Sequence, residues 1–128
     1  MRARALIMVV LMISHVMGKT PAEREVGKVF HSCFKYYNAG GPIPPSADCC
    51  NYVCDVVRDF GGSGSNYKYA NYLLCSPLIT DFQDRLNLVF QRNLDLPKTC
   101  CHIHNNAIVT YLFTCKGHDL HPPPRPIA

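Results

Sequence analysis

The densest run of metal-ligand side chains in this 128-residue chain is Cys100-Cys101-His102-Ile103-His104, with His118 and His121 downstream. Thiolate and imidazole together suit zinc. Two considerations weigh against a metal centre. Side chains two apart on a helix diverge, so His102 and His104 do not close on one ion from a single turn. The chain also reads as exported, and exported thiols oxidise. Cys33, Cys49, Cys50, Cys54, Cys75, Cys100, Cys101 and Cys115 form an even set. Four disulfides are their expected state, and the sequence leaves the pairing open. No metal and no cofactor are expected.

Other chemistry is sparse. There is no nucleophile elbow, paired-carboxylate motif or zincin signature. Asp81 and Asp84 read as solvated charges at i, i+3 on an exposed helix face. Gly61-Gly62-Ser63-Gly64-Ser65 has the glycines of a phosphate cradle but not the Lys-Ser/Thr that follows in a P-loop. It reads as a flexible loop. No catalytic residue is assigned, and the chain is not expected to be an enzyme. Tyrosines remain, each with an apolar body and a polar tip. Tyr67, Tyr69 and Tyr72, just after the Gly/Ser loop, form the candidate contact surface. No Asn-X-Ser/Thr sequon is present.

Residues 1–18 read as a signal peptide. Arg2 and Arg4 precede an apolar stretch from Ala5 to Val16, and Gly18 offers a small residue for cleavage. The stretch is about twelve residues, short of the roughly 20 that cross a bilayer. No second run of spanning length follows, so no membrane span is expected after cleavage. Removing residues 1–18 leaves 110 residues with 11 basic and 9 acidic side chains, a net +2 against +4 for the whole chain. That small, scattered charge gives no strong steering toward polyanions, and nucleic acid is not an expected partner. Residues 19–117 read as a cysteine-rich helical domain. Residues 118–128, with Pro122-Pro123-Pro124 and Pro126, read as a flexible, polyproline-like tail outside the core.

The elements that must position these side chains are helical. Thr20, Pro21 and Glu23 form a capped start. Val26, Val29, Phe30, Cys33, Phe34 and Tyr37 then fall on one helical face. Asn38 to Pro42 stop it. Ser46 caps a second helix, with Asp48 in its first turn and Cys49, Val53, Val56, Val57 and Phe60 inward. Residues 67–75 predict a short third helix. Ser76-Pro77 reads as the start of a fourth, with Leu78, Phe82, Leu86, Val89 and Phe90 inward. Asn93 to Pro97 reads as a turn. Thr99 reads as the cap of a last helix carrying Cys101, His104, Ile108, Tyr111, Leu112 and Cys115. A strand is the alternative for residues 107–113, which are rich in β-branched and aromatic residues. The expected fold is all-α: a disulfide-stapled bundle of four or five short helices with a Pro-rich C-terminal tail.

Two vicinal pairs, Cys49-Cys50 and Cys100-Cys101, are placed by this reading at helix starts. Adjacent helical side chains point about 100° apart, so one pair can tie its helix to two neighbours. The large apolar residues are enough to fill a narrow bundle, which predicts a solid interior and action through the surface.

The cysteine order C–CC–C–C–CC–C is that of fungal hydrophobins, but the spacings differ and hydrophobins are β-rich. Cys49-Cys50-Asn51-Tyr52-Val53-Cys54-Asp55 loosely resembles secreted phospholipases A2, without the histidine that activates water there. The stretch Val29 to Cys115 resembles the plant prolamin-like superfamily, in particular its egg-cell-secreted, gametogenesis-related proteins. Gly41-Pro42-Ile43-Pro44-Pro45-Ser46-Ala47-Asp48-Cys49-Cys50 and Leu96-Pro97-Lys98-Thr99-Cys100-Cys101 carry the resemblance. The Cys-X-Cys of the lipid-transfer branch is absent, and Phe34 stands where egg-cell proteins have Trp. The resemblance implies a secreted, extracellular interaction or signalling protein of plant reproduction, acting on a protein partner or cell-surface receptor. Its alternative is a small lipid-binding or defence protein of the lipid-transfer type, with lipid as the partner.

Overall fold

A computed structural model describes residues 18–117 and 121–126. The expected signal peptide, apart from Gly18, lies outside the described residues. Among those residues there are five α-helices and no strand: α1 (Pro21–Asn38), α2 (Ala47–Phe60), α3 (Tyr67–Asp81), α4 (Leu86–Cys101) and α5 (Ala107–Phe113). A 3₁₀ turn, Gln83–Arg85, joins α3 to α4. No described helix is long and apolar enough to cross a membrane.

Side-chain caps open α1, α2 and α5, whereas α3 and α4 begin without one. Thr20 caps α1 by accepting from the Glu23 amide, and the Glu23 carboxylate accepts from the Thr20 amide. That capping box satisfies two otherwise orphaned donors. At the other end of α1, Arg92 of α4 donates to the carbonyls of Tyr36, Tyr37 and Ala39 at 3.1, 2.9 and 2.8 Å. Ser46 caps α2 through the Cys49 amide. Gly61 ends α2 where α5 crosses it. A Cβ there would collide with the Val57 carbonyl oxygen and lie 2.9 Å from Cγ2 of Val109. Asn106 caps α5 by accepting from the Ile108 and Val109 amides.

α1 packs on α2 and α3, α2 also on α4, and α3 on α5. Val26, Val29, Val53, Val56, Leu74, Leu78, Phe82, Val89, Leu96, Leu112 and Phe113 fill the space between them. Four disulfides staple the helices: Cys33–Cys49 and Cys75–Cys115 lie inside the core, and Cys50–Cys100 and Cys54–Cys101 are half-buried at its edge. Cys49-Cys50 does tie α2 to two neighbours, α1 and α4. Cys100-Cys101 does not. Both of its sulfurs go to α2, because Cys50 and Cys54 lie one turn apart on the same face.

The helix boundaries differ from expectation at both internal prolines. Ser76-Pro77 starts no helix; α3 runs through it to Asp81. Asn93 to Pro97 is no turn; α4 runs through it to Cys101. A proline inside a helix costs about 3 kcal/mol. Burial of Leu74, Cys75 and Leu78 on one side, and of Asn93, Leu96 and Pro97 on the other, offsets that cost. Thr99 therefore lies inside α4 and caps nothing. The second vicinal pair closes a helix instead of opening one. His102 ends α4 in the left-handed conformation, φ 56°, with its amide bonded to the Lys98 carbonyl and the Ile103 amide to the Pro97 carbonyl. The His102–Lys98 bond is that of an αL-type stop, with histidine in the usual glycine place. Residues 107–113 form α5 and not a strand. Phe34 is 38% exposed and does not belong to the core.

Where α1 meets α2, Glu25 faces Asp59, with Asp55 and Arg58 beside them. Desolvation, the hydrogen bond to Asp59 and the two aspartate charges push the Glu25 carboxyl up to about 7, against a small opposing effect of Arg58. Asp59 is held below its ordinary range, chiefly by its hydrogen bond from Arg58. The pair thus keeps its proton on Glu25. A carboxyl raised in the folded state contributes stability that is fully present below about 4.5 and is lost as pH rises through about 7. Glu25→Gln should remove that loss. The variant should be more stable than the parent at pH 8 by about 1 kcal/mol, an allowance that already discounts solvent screening. At pH 4 it should be equal. Urea midpoints at the two pH values check this, and an unchanged difference between them would contradict it.

Candidate interaction surface

The Cys/His run does not assemble as a metal centre. Cys100 and Cys101 are both oxidised, so neither offers a thiolate. His102 and His104 are exposed on the connector between α4 and α5. Among the described residues no group of His, Cys, Asp and Glu is arranged to hold an ion. His118 lies outside them. Asp81 ends α3 and Asp84 sits in the 3₁₀ turn, so they do not share one helix face.

The Tyr-rich segment opens α3, and its rings divide by helical spacing. Tyr69 is buried at 8% exposure, while Tyr67 and Tyr72 are half-buried against the core. Tyr67 meets Tyr111 of α5 edge-on at 5.4 Å. The expected open surface is therefore narrower than Tyr67, Tyr69 and Tyr72 together. Its accessible part is the Tyr67–Tyr111 pair and Tyr72, next to the exposed Gly62, Ser63 and Gly64. The Gly/Ser loop is pinned at its end: the Ser65 hydroxyl donates to the carbonyls of Phe60 and Gly62 at 2.7 and 2.6 Å.

The C-terminal segment touches this region, which sequence reasoning missed. Arg125 donates to Oε1 of Glu23 through Nε and Nη2, at 2.9 and 2.8 Å. It also hydrogen-bonds Tyr69. The Thr20 amide first, then Arg125, hold the Glu23 carboxyl below its ordinary range. The α1 capping box and the tail therefore share one carboxylate. A single arginine among prolines carries little sequence signal for such a contact, because its partner is about a hundred residues away.

Grooves lie on the outside of the bundle. One of about 390 Å³ runs along α4 and the chain after α5, lined by Phe90, Leu94, Thr114 and Lys116 among others. One of about 480 Å³ follows α1 from Lys19 to Ser32, with Tyr52 of α2 on its far side. A third, about 350 Å³, lies between Tyr36, Ile43, Leu88 and Arg92.

Two polar side chains inside the bundle were also missed. Asn93 is fully buried; it accepts from the Tyr37 hydroxyl at 2.7 Å and donates to the Phe113 carbonyl at 2.8 Å. Asn71 donates to the carbonyls of Tyr111, Leu112 and Thr114, satisfying the end of α5. Asparagine is usually a turn signal, and at position 93 that reading concealed a core position. The chain matches no protein-family model, no curated protein and no solved structure.

Proposed function

We propose that the chain is a secreted, extracellular interaction or signalling protein that works through its surface on a protein partner or cell-surface receptor. The observation that carries this reading is the filled bundle. Tyr37, Phe82, Phe113, Leu78, Leu96 and Leu112 are all fully buried and are clamped by four disulfides. Such an interior suits a rigid scaffold that presents side chains, and four disulfides suit an oxidising compartment. On this reading residues 1–18 are removed on export, no cofactor is needed and no reaction is catalysed. The phrases shared with egg-cell-secreted prolamin-like proteins support plant reproduction as its setting.

The second reading, a small lipid-binding or defence protein, is favoured by the groove beside Phe90 and Leu94. Its volume of about 390 Å³ falls within the range of small-molecule sites. Fluorescently labelled protein applied to intact cells separates the two. The expected result is saturable binding that is lost when the cells are first treated with protease and that weakens in Tyr67→Ser. Stoichiometric, saturable uptake of a fluorescent fatty acid, with no protease-sensitive cell binding, would favour the carrier.

A further inference from the structure

The basic residues that read as scattered along the sequence are gathered by α1. Arg24, Lys28, His31 and Lys35 follow one another at i, i+4, i+7 and i+11 and are all exposed. At 3.6 residues per turn they fall within roughly 60° of the helix circumference. Arg24 and Lys28 are like charges at i, i+4 and repel, and Arg24 in the first turn opposes the positive end of the helix dipole, whereas Lys35 in the last turn suits its negative end. Among the described residues none of the four takes part in an ion pair; Arg24 donates to the Lys19 carbonyl at 2.9 Å and Lys28 lies over the Tyr52 ring, contacts that leave both positive charges without a carboxylate. Glu25, the acidic neighbour of Arg24 in sequence, turns toward Asp59 instead. Glu23, which borders the groove, already has its charge matched by Arg125. A row of basic side chains left without a carboxylate partner inside the molecule is a surface open to anionic groups outside it.

The surroundings of the stripe define what fits. The groove of about 480 Å³ lies along its N-terminal half. Gly27 opens that groove, for nothing approaches within 4 Å of where its Cβ would be. Tyr52 forms the opposite wall, with the Lys28 ammonium 5.7 Å from its ring centre. At the C-terminal end Phe34 flanks the stripe, 38% exposed. We propose that this face of α1 is a docking surface for an acidic segment of a partner protein, which lays carboxylates along Arg24, Lys28, His31 and Lys35. Apolar side chains of the same segment rest on Tyr52 and Phe34. The aromatic flanks favour a peptide over a sulfated glycan, which has no side chains to place against them. The inference rests on the reading of the chain as an interaction protein, and it names the partner's chemistry.

The test uses the disulfide-intact chain from Lys19 onward and a fluorescein-labelled peptide alternating Glu and Leu. Fluorescence anisotropy should show saturable binding that weakens as salt is raised, as expected of charge pairing. The same peptide with Gln for Glu should bind at least ~10-fold more weakly, a difference of about 1.4 kcal/mol. Lys28→Gln combined with Lys35→Gln should weaken the acidic peptide by a similar factor, with the melting temperature little changed. Three outcomes overturn the proposal: no binding of the acidic peptide, equal binding of the Gln peptide, or tighter binding of a heparin oligosaccharide than of the peptide. Each of these leaves the interaction reading standing. That reading fails instead on loss of protease-sensitive cell binding together with saturable fatty-acid uptake.

Discussion

Removing both bridges between α2 and α4 should unfold most of the chain, whereas removing either one alone should leave it folded. Cys50–Cys100 and Cys54–Cys101 close loops of 50 and 47 residues. In the chain-entropy description each of these, taken alone, restricts the unfolded state by about 4 kcal/mol. The two are nearly parallel rungs, however. Once one is closed, the other closes only the small ring from Cys50 to Cys54 and from Cys100 to Cys101. A ring that small is worth about 2 kcal/mol. Cys50→Ser/Cys100→Ser and Cys54→Ser/Cys101→Ser should therefore each cost about 2 kcal/mol, and the quadruple variant about 6 kcal/mol. The last figure rivals the whole stability of a small domain. Urea titrations followed by circular dichroism give all three numbers. Strict additivity of the two pairwise variants would show that the rungs act independently and would contradict this account.

A comparable loss is expected from one buried amide. Asn93 joins three elements: the Tyr37 hydroxyl of α1, its own helix α4, and the Phe113 carbonyl at the end of α5. Asn93→Ala leaves a phenol and a carbonyl unpaired in a dry core. Each orphan costs about 1–3 kcal/mol, and a small cavity adds to this. The expected destabilisation is about 4 kcal/mol. Tyr37→Phe removes one of the orphans, so Asn93→Ala/Tyr37→Phe should be less destabilised than the sum of the single variants by at least ~1 kcal/mol. A loss below ~1 kcal/mol for Asn93→Ala, or additivity across the cycle, would refute the network.

The same residue shows where the sequence was readable and where it was not. The all-helical architecture, the capped starts at Thr20 and Ser46 and the inward faces of α1 and α2 follow from periodicity and capping, which are local signals. The boundaries of α3 and α4 do not follow. Pro77 and Pro97 are local stop signals overruled by packing and by the cross-links at Cys75, Cys100 and Cys101, whose pairing depends on residues 40 to 50 positions away. Asn93 was misread for the same reason, since its partners lie 56 and 20 residues distant. At the candidate surface, the tyrosines were visible by type but not by exposure. Helical spacing sends Tyr69 inward, and the remote Arg125 reaches it from the tail. The basic stripe was present in the spacing of α1 from the start, yet a count of net charge conceals it because acidic residues elsewhere cancel the total.

The Gly/Ser loop between α2 and α3 has a consequence for how the chain responds to a protease. Gly62, Ser63 and Gly64 are exposed and flanked by helices, the kind of site that proteases cut first. A cut there would part Cys33, Cys49, Cys50 and Cys54 from Cys75, Cys100, Cys101 and Cys115. The two rungs across α2 and α4 span that division, so the halves stay covalently joined. What results is a two-chain molecule: heavier by one water, separable only by reductant, and still carrying the stripe of α1 on one chain and the tyrosines of α3 on the other.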